Sequence, residues 1–140
     1  LQIRIMQVTL DYKGKMKMVS TNDRGHALEM DTYEKSGGED SAQTPKEAVL
    51  SGLAGCTAMD IVGILRKMRI DVDSMRIEIE ADQTDDHPKV FKDIKMKYIF
   101  SKGADPEKVE RAVKLSQDQY CGVSAMIKKT ANLTYEIVYE

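Results

Sequence analysis

The residues of this chain with most chemistry to offer are two cysteines, Cys56 and Cys121, 65 positions apart. A thiol that loses its proton becomes a nucleophile, a redox partner or a metal ligand; one that keeps it packs as a small apolar side chain. Composition leaves both readings open, and the local sequence favours packing for each. Cys56 lies in an apolar run, where burial raises a thiol pKa and quiets the sulfur. The cations of the same segment, Lys46 and Arg66, lie several helical turns away. Asp60 follows Cys56 by one helical turn. A carboxylate inside an apolar helix is costly unless it is paired or opens on a polar cavity, so Asp60 reads equally as an acid beside the thiol or as a buried hydrogen-bonding group. Glu47 stands three residues after Thr44, where it would return a hydrogen bond to the Thr44 amide as part of a capping box.

Other chemistries find little support. A metal site built from Cys56, Asp60, Cys121 and a histidine would draw on only His26 and His87, with no Cys-x-x-Cys or His-x-x-x-His spacing, so no metal is expected. The Gly37-Gly38 stretch lacks the lysine and strand context of a phosphate loop, so no nucleotide cofactor is expected either. A formal charge of −2 provides no field to gather nucleic acid or an anionic membrane surface. The stretch Leu1 to Met6 alternates polar and apolar without a charged leader and apolar block, which leads to an expected cytoplasmic address. Two cysteines in such a setting disfavour a structural disulfide.

The elements that must position these residues are legible from periodicity. Ile3 and Ile5, then Met16 and Met18, then Leu28 and Met30 alternate with polar neighbours, predicting a meander of strands with turns at Gly14 and at Asn22-Asp23-Arg24-Gly25. The polar segment from Thr32 to Thr44 predicts an exposed, mobile loop. Thr44-Pro45-Lys46-Glu47 then opens a helix reaching about Arg69. Its run from Ala48 to Leu65 is small or apolar apart from Ser51, Thr57 and Asp60. That is too uniform for a surface helix and, with its aspartate, poor as a membrane span, so a central helix buried on its several faces is expected. Two strands follow, Met75-Ile77-Ile79 and Ile94-Met96-Tyr98-Phe100. A second helix begins after the N-cap Asp105, with a buried stripe of Val109, Ala112, Val113, Ser116 and Tyr120, and delivers Cys121 to its end. A further short helical turn and a last strand through Leu133, Tyr135, Ile137 and Tyr139 complete one domain over residues 1–140.

Thr44-Pro45-Lys46-Glu47-Ala48-Val49-Leu50 followed by Leu53-Ala54-Gly55-Cys56-Thr57-Ala58-Met59-Asp60-Ile61-Val62 resembles the central-helix signature of the OsmC/Ohr family. Tyr120-Cys121-Gly122-Val123-Ser124 resembles the family's second-cysteine motif, and the order of elements is similar over essentially the whole chain. The Gly-Cys-Thr-Ala-Met-Asp form, with Gly25-His26 and Met30-Asp31 upstream, is most similar to the YhfA-like branch.

The resemblance implies an α+β fold, an intertwined homodimer with strands packed around two long central helices, and thiol sites at the subunit interface. It implies a thiol-dependent peroxidase of oxidative stress defence, in which Cys56 attacks an organic hydroperoxide, Cys121 resolves the resulting sulfenic acid and a dithiol reductant closes the cycle. Apolar surroundings would favour an alkyl peroxide by about 0.8 kcal/mol per buried methylene. Glu47, Arg24 and Asp60 become candidate supporting groups. The hydroperoxide-resistance branch carries its glutamate ten positions before the first cysteine, where this chain has Lys46; Glu47 stands about 100° further round the helix. The alternative implied by the same fold is a stress-related dimer that binds a small ligand with little or no turnover.

Overall fold

The computed structural model describes residues 5–140, which divide between Val49 and Leu50 into two compact units. The first holds a three-stranded antiparallel sheet of β1 (Val8–Tyr12), β2 (Met18–Asn22) and β3 (Ala27–Met30), in that order. The meander thus starts later than the periodicity suggested: Ile3 lies outside the described residues, and Ile5 precedes the first strand. The turn between β2 and β3 closes with the Gly25 N–H on the Asn22 carbonyl, and Gly25 takes the left-handed φ of 88° that a side chain disfavours.

The segment after β3 is pinned rather than loose. Asp31 is buried and accepts the N–H groups of Thr32 at 2.8 Å and Ser41 at 3.1 Å, plus the Ser41 hydroxyl at 2.6 Å. The Glu39 N–H adds a longer bond of 3.3 Å. The Ser41 hydroxyl first, then these backbone donors, hold the Asp31 carboxyl down at about 2. Gly38 is required here, because a Cβ would run into the Thr32 carbonyl oxygen and lie 2.7 Å from Asp31 Oδ1. The expected mobile loop lacks this knot because an aspartate in a polar sequence gives no sign of where its acceptors will be filled.

Helix α1 (Pro45–Lys67) crosses from the first unit into the second. It starts as the capping box requires: Glu47 Oε1 accepts the Thr44 N–H at 2.9 Å and Thr44 Oγ1 accepts the Glu47 N–H at 3.3 Å. Burial on several faces does not follow. Only the stripe Leu53, Thr57, Ile61 and Leu65 is buried, one residue per turn, while Met59 is 78% exposed. A Cβ at Gly52, Gly55 or Gly63 would meet nothing within 4 Å. The small residues therefore leave an open face, because one chain supplies packing partners along a single stripe. α1 is long and apolar enough to cross a bilayer, yet that stripe belongs to the core.

The second unit builds a sheet in the order β4 (Met75–Gln83), β5 (Phe91–Phe100), β6 (Asn132–Tyr139), with β4 antiparallel and β6 parallel to β5. The parallel step needs a crossover, supplied by α2 (Pro106–Leu115), a wide turn over residues 116–120 and α3 (Gly122–Ile127). Asp105 caps α2 as expected, accepting the Lys108 N–H. Central β5 contributes Ile94, Met96, Tyr98 and Phe100 to a core shared with Leu53, Ile61 and Leu65 of α1 and with Val109, Ala112 and Val113 of α2. The stripe of α2 departs from expectation at its end: Gln117 is buried and Tyr120 is 55% exposed. The cause is the wide turn, in which the Cys121 N–H reaches back five residues to the Ser116 carbonyl at 2.8 Å. The extra residue per turn rotates Tyr120 outward.

Candidate functional site

Three of the five candidate residues meet inside the second unit. Cys56 and Asp60 occupy successive turns of α1, and Cys121 sits where the wide turn passes into α3. The two sulfurs and a carboxylate oxygen of Asp60 all lie within 4.8 Å of one another. Both thiols are free; Cys121 is 3% exposed, whereas Cys56 and Asp60 are half-buried. The other two candidates are engaged in the first unit. Glu47 is committed to the Thr44 cap, and Arg24, in the β2–β3 turn, bonds the adjacent Asp23 at 2.9 Å.

The wide turn is what brings Cys121 in. Its extended backbone makes it the N-cap of α3, where its sulfur takes the place of the usual capping oxygen and accepts the Ser124 N–H at 3.4 Å. One residue earlier, the Val123 N–H stands near enough to the Cys56 sulfur to lower its pKa. A backbone N–H beside the Cys56 sulfur favours negative charge on it. For Cys56 that help is outweighed. Burial, then the Cys121 thiol and the Asp60 charge, push its pKa above the ordinary value against the lowering Val123 N–H. None of these contributions comes from a cation.

Asp60 is oriented by a buried relay that sequence reasoning did not identify. The Ser116 hydroxyl donates to Asp60 Oδ2 at 3.0 Å, Thr57 Oγ1 lies 2.8 Å from both Ser116 Oγ and the Tyr98 hydroxyl, and Gln117 Nε2 donates to Tyr98 at 2.6 Å. Each hydroxyl has one proton, so the directions are fixed by the ends. Ser116 spends its proton on Asp60, Thr57 must donate to Ser116, and Tyr98, which accepts from Gln117, must donate to Thr57. Burial holds the Tyr98 phenol above its ordinary pKa, in keeping with a donor. Every member of the relay points its polarity toward Asp60. The signal in the sequence was positional: Thr57, Tyr98 and Ser116 are polar at positions whose periodicity calls for apolar side chains, and such residues must find buried partners. Gln117 Oε1 and Ser124 Oγ are enclosed nearby in sequence without a partner among the described residues.

Beside Asp60 a groove of about 410 Å³ opens between α1 and the end of α2. Met59, Ile64, Leu115 and Tyr120 give it apolar walls, with Asp60 and Lys67 as its charges.

A cysteine pair at the junction of a long core helix and a capped short helix, on an α+β scaffold, defines a protein with a two-thiol site. The chain belongs to the OsmC-like protein family, whose model matches residues 38–136. It is 34% identical over 137 residues to Protein YhfA of Escherichia coli K12, covering 95% of this chain and 98% of that protein. Among solved structures it is similar to a hypothetical protein from Aquifex aeolicus, at 26% identity and a TM-score of 0.81, with 99% of each chain covered. It shares the fold of the organic hydroperoxide resistance protein OhrB of Bacillus subtilis, at 17% identity and a TM-score of 0.67, covering 96% and 98%.

Proposed function

We propose that the protein is a thiol-dependent peroxidase that reduces organic hydroperoxides. The observation that carries this reading is the meeting of the Cys56 and Cys121 sulfurs, 65 residues apart in sequence, within 4.8 Å. Family membership, with organic hydroperoxide resistance proteins among its structural relatives, supports a redox role in stress defence.

Half-buried Cys56 is the sulfur a substrate can reach, and buried Cys121 is the one held in reserve. The Cys56 thiolate attacks the terminal peroxide oxygen, the O–O bond breaks, and the alkoxide leaves as the alcohol after taking a proton. Cys56 becomes a sulfenic acid. The Cys121 sulfur then attacks it, water departs, and a disulfide forms; a dithiol reductant restores both thiols by exchange. Asp60, held by the relay, stands beside the reacting sulfur, and the groove next to it suits an alkyl chain.

Burial raises the Cys56 pKa, so a neighbouring cation would favour the thiolate, and we favour one supplied by a second copy, with Arg24 as the candidate. A homodimer would also cover the open glycine face of α1. We take the two units as one OsmC-like domain over residues 1–140, since α1 runs unbroken through their boundary and the family match spans it. Two cysteines in 140 residues, without the dense cysteine framework of small secreted domains, fit a reducing cytoplasm. The same groove favours a second reading, a dimer that binds a small apolar ligand and turns over little.

Reduced protein incubated with cumene hydroperoxide and a dithiol decides between them. Loss of peroxide that falls to background in Cys56→Ser, and that halts after one turnover in Cys121→Ser, establishes the cycle. Equal background rates for all three proteins reject it.

A further inference from the structure

We propose that Cys56, Asp60 and Cys121 form a binding site for a thiophilic divalent cation of the zinc class, which holds both sulfurs as thiolates and masks them from oxidation. The three donor atoms already lie within 4.8 Å of one another. A tetrahedral zinc, with bonds of about 2.3 Å to sulfur and 2.0–2.2 Å to oxygen, needs its ligands roughly 3.5–3.8 Å apart, so side-chain adjustment suffices. Two sulfurs and one carboxylate form a soft donor set that selects zinc or cadmium over magnesium or calcium.

The surroundings are those of a prepared site. Ser116 orients the Asp60 carboxylate at 3.0 Å, and the Ser124 N–H meets the Cys121 sulfur at 3.4 Å. Such outer partners fix the ligands and share the charge on them. Cys56 and Asp60 are half-buried and give a path in from solvent, while Cys121 closes the floor. Two thiolates and a carboxylate so close together would repel one another, and a divalent cation at their centre converts that repulsion into attraction as the thiols ionise. On binding, each thiol gives its proton to solvent as its metal–sulfur bond forms, and no electron moves. The sulfur lone pairs are then engaged and cannot attack an O–O bond. The local sequence carries no metal motif because the ligands come from α1 and from the junction before α3, and no histidine is needed.

The site rests on these three side chains alone, so it stands whether or not the thiols turn over peroxide. Cadmium added to reduced, metal-free protein under anaerobic conditions is expected to raise an ultraviolet thiolate-to-cadmium charge-transfer band that saturates at one ion per chain. Zinc is expected to displace it. Cys56→Ser and Cys121→Ser should each lose tight binding, and Asp60→Asn should keep the band but bind at least about tenfold more weakly. Absence of the band at one equivalent, or unchanged affinity in Asp60→Asn, overturns the proposal. Should the serine variants fail to show native circular dichroism, thiol labelling of the unaltered chain decides. Zinc must slow maleimide reaction at both cysteines, and slowing at one or neither overturns the site.

Discussion

The two units solve the problem of an inward-turned carboxylate in opposite ways. In the first, Asp31 is the one buried residue among those described, and four donors saturate it: three backbone N–H groups and the Ser41 hydroxyl. Its work is to tie residues 32–41 to the end of β3. In the second, Asp60 has one protein donor, Ser116, at the end of a directed relay, and its remaining capacity faces two thiols. A filled carboxylate is a structural knot, whereas a partly filled one, aimed at sulfur and reachable from solvent, is available for chemistry. The units differ in the same sense in their apolar parts. The second has a core in which Leu53, Ile61, Leu65, Ile94 and Tyr98 are fully enclosed, while Val8, Leu10 and Tyr12 of β1 are exposed.

The largest test of that contrast is truncation. Ile61→Ala should cost about 2–5 kcal/mol in chemical denaturation, since a filled core position becomes a cavity. Leu10→Ala, on an exposed strand, should cost no more than about 0.5 kcal/mol. A cost at Leu10 that approaches the Ile61 value and depends on protein concentration would break the contrast and show that a second copy covers β1. Next in size, Thr57→Val keeps the shape and removes the central hydroxyl of the relay. Loss of about 1–3 kcal/mol is expected, because Tyr98 is left without its acceptor and Ser116 without its donor. If the variant is as stable as the parent, the relay does not hold Asp60.

A smaller effect, confined to one segment, should separate the units by pH. The Asp31 carboxyl is held at about 2 from an ordinary 3.8, chiefly by the Ser41 hydroxyl. A depressed pKa contributes stability that is present above the unfolded value and disappears as pH falls through the folded one. Amide exchange of residues 32–41 should therefore accelerate between about pH 4 and pH 2, ahead of exchange in β5, and Asp31→Asn should abolish that dependence. Simultaneous loss in β5 would mean that the knot is not local.

How much of this was legible follows from the range over which each feature is determined. The capping box at Thr44 and Glu47, the Asp105 cap and the alternation of β5 are set by residues within one turn or one strand, and each is where the periodicity placed it. The outward swing of Tyr120 was not legible, because a wide turn preserves composition and changes only the phase. Nor was the relay, whose members come from α1, β5 and the wide turn. The cysteines fell between these cases. Local sequence made each of them packing, and motif resemblance made them a pair. Their approach depends on an N-cap formed by Cys121 itself, a role for which cysteine has no marked preference.

The smallest expected effect bears on the thiol directly. Burial is the main reason the Cys56 pKa stands above its ordinary value, and the Cys121 thiol and the Asp60 charge add to it. Removing the charge while keeping the shape, as Asp60→Asn does, should move the pH profile of Cys56 alkylation toward lower pH, because one of the repulsive contributions to the thiolate is gone. The shift should be modest, since the burial contribution remains. It is best read in metal-free protein, where no cation compensates the carboxylate. A profile moved instead toward higher pH would break the contrast, since Asp60 would then stabilise the thiolate rather than repel it.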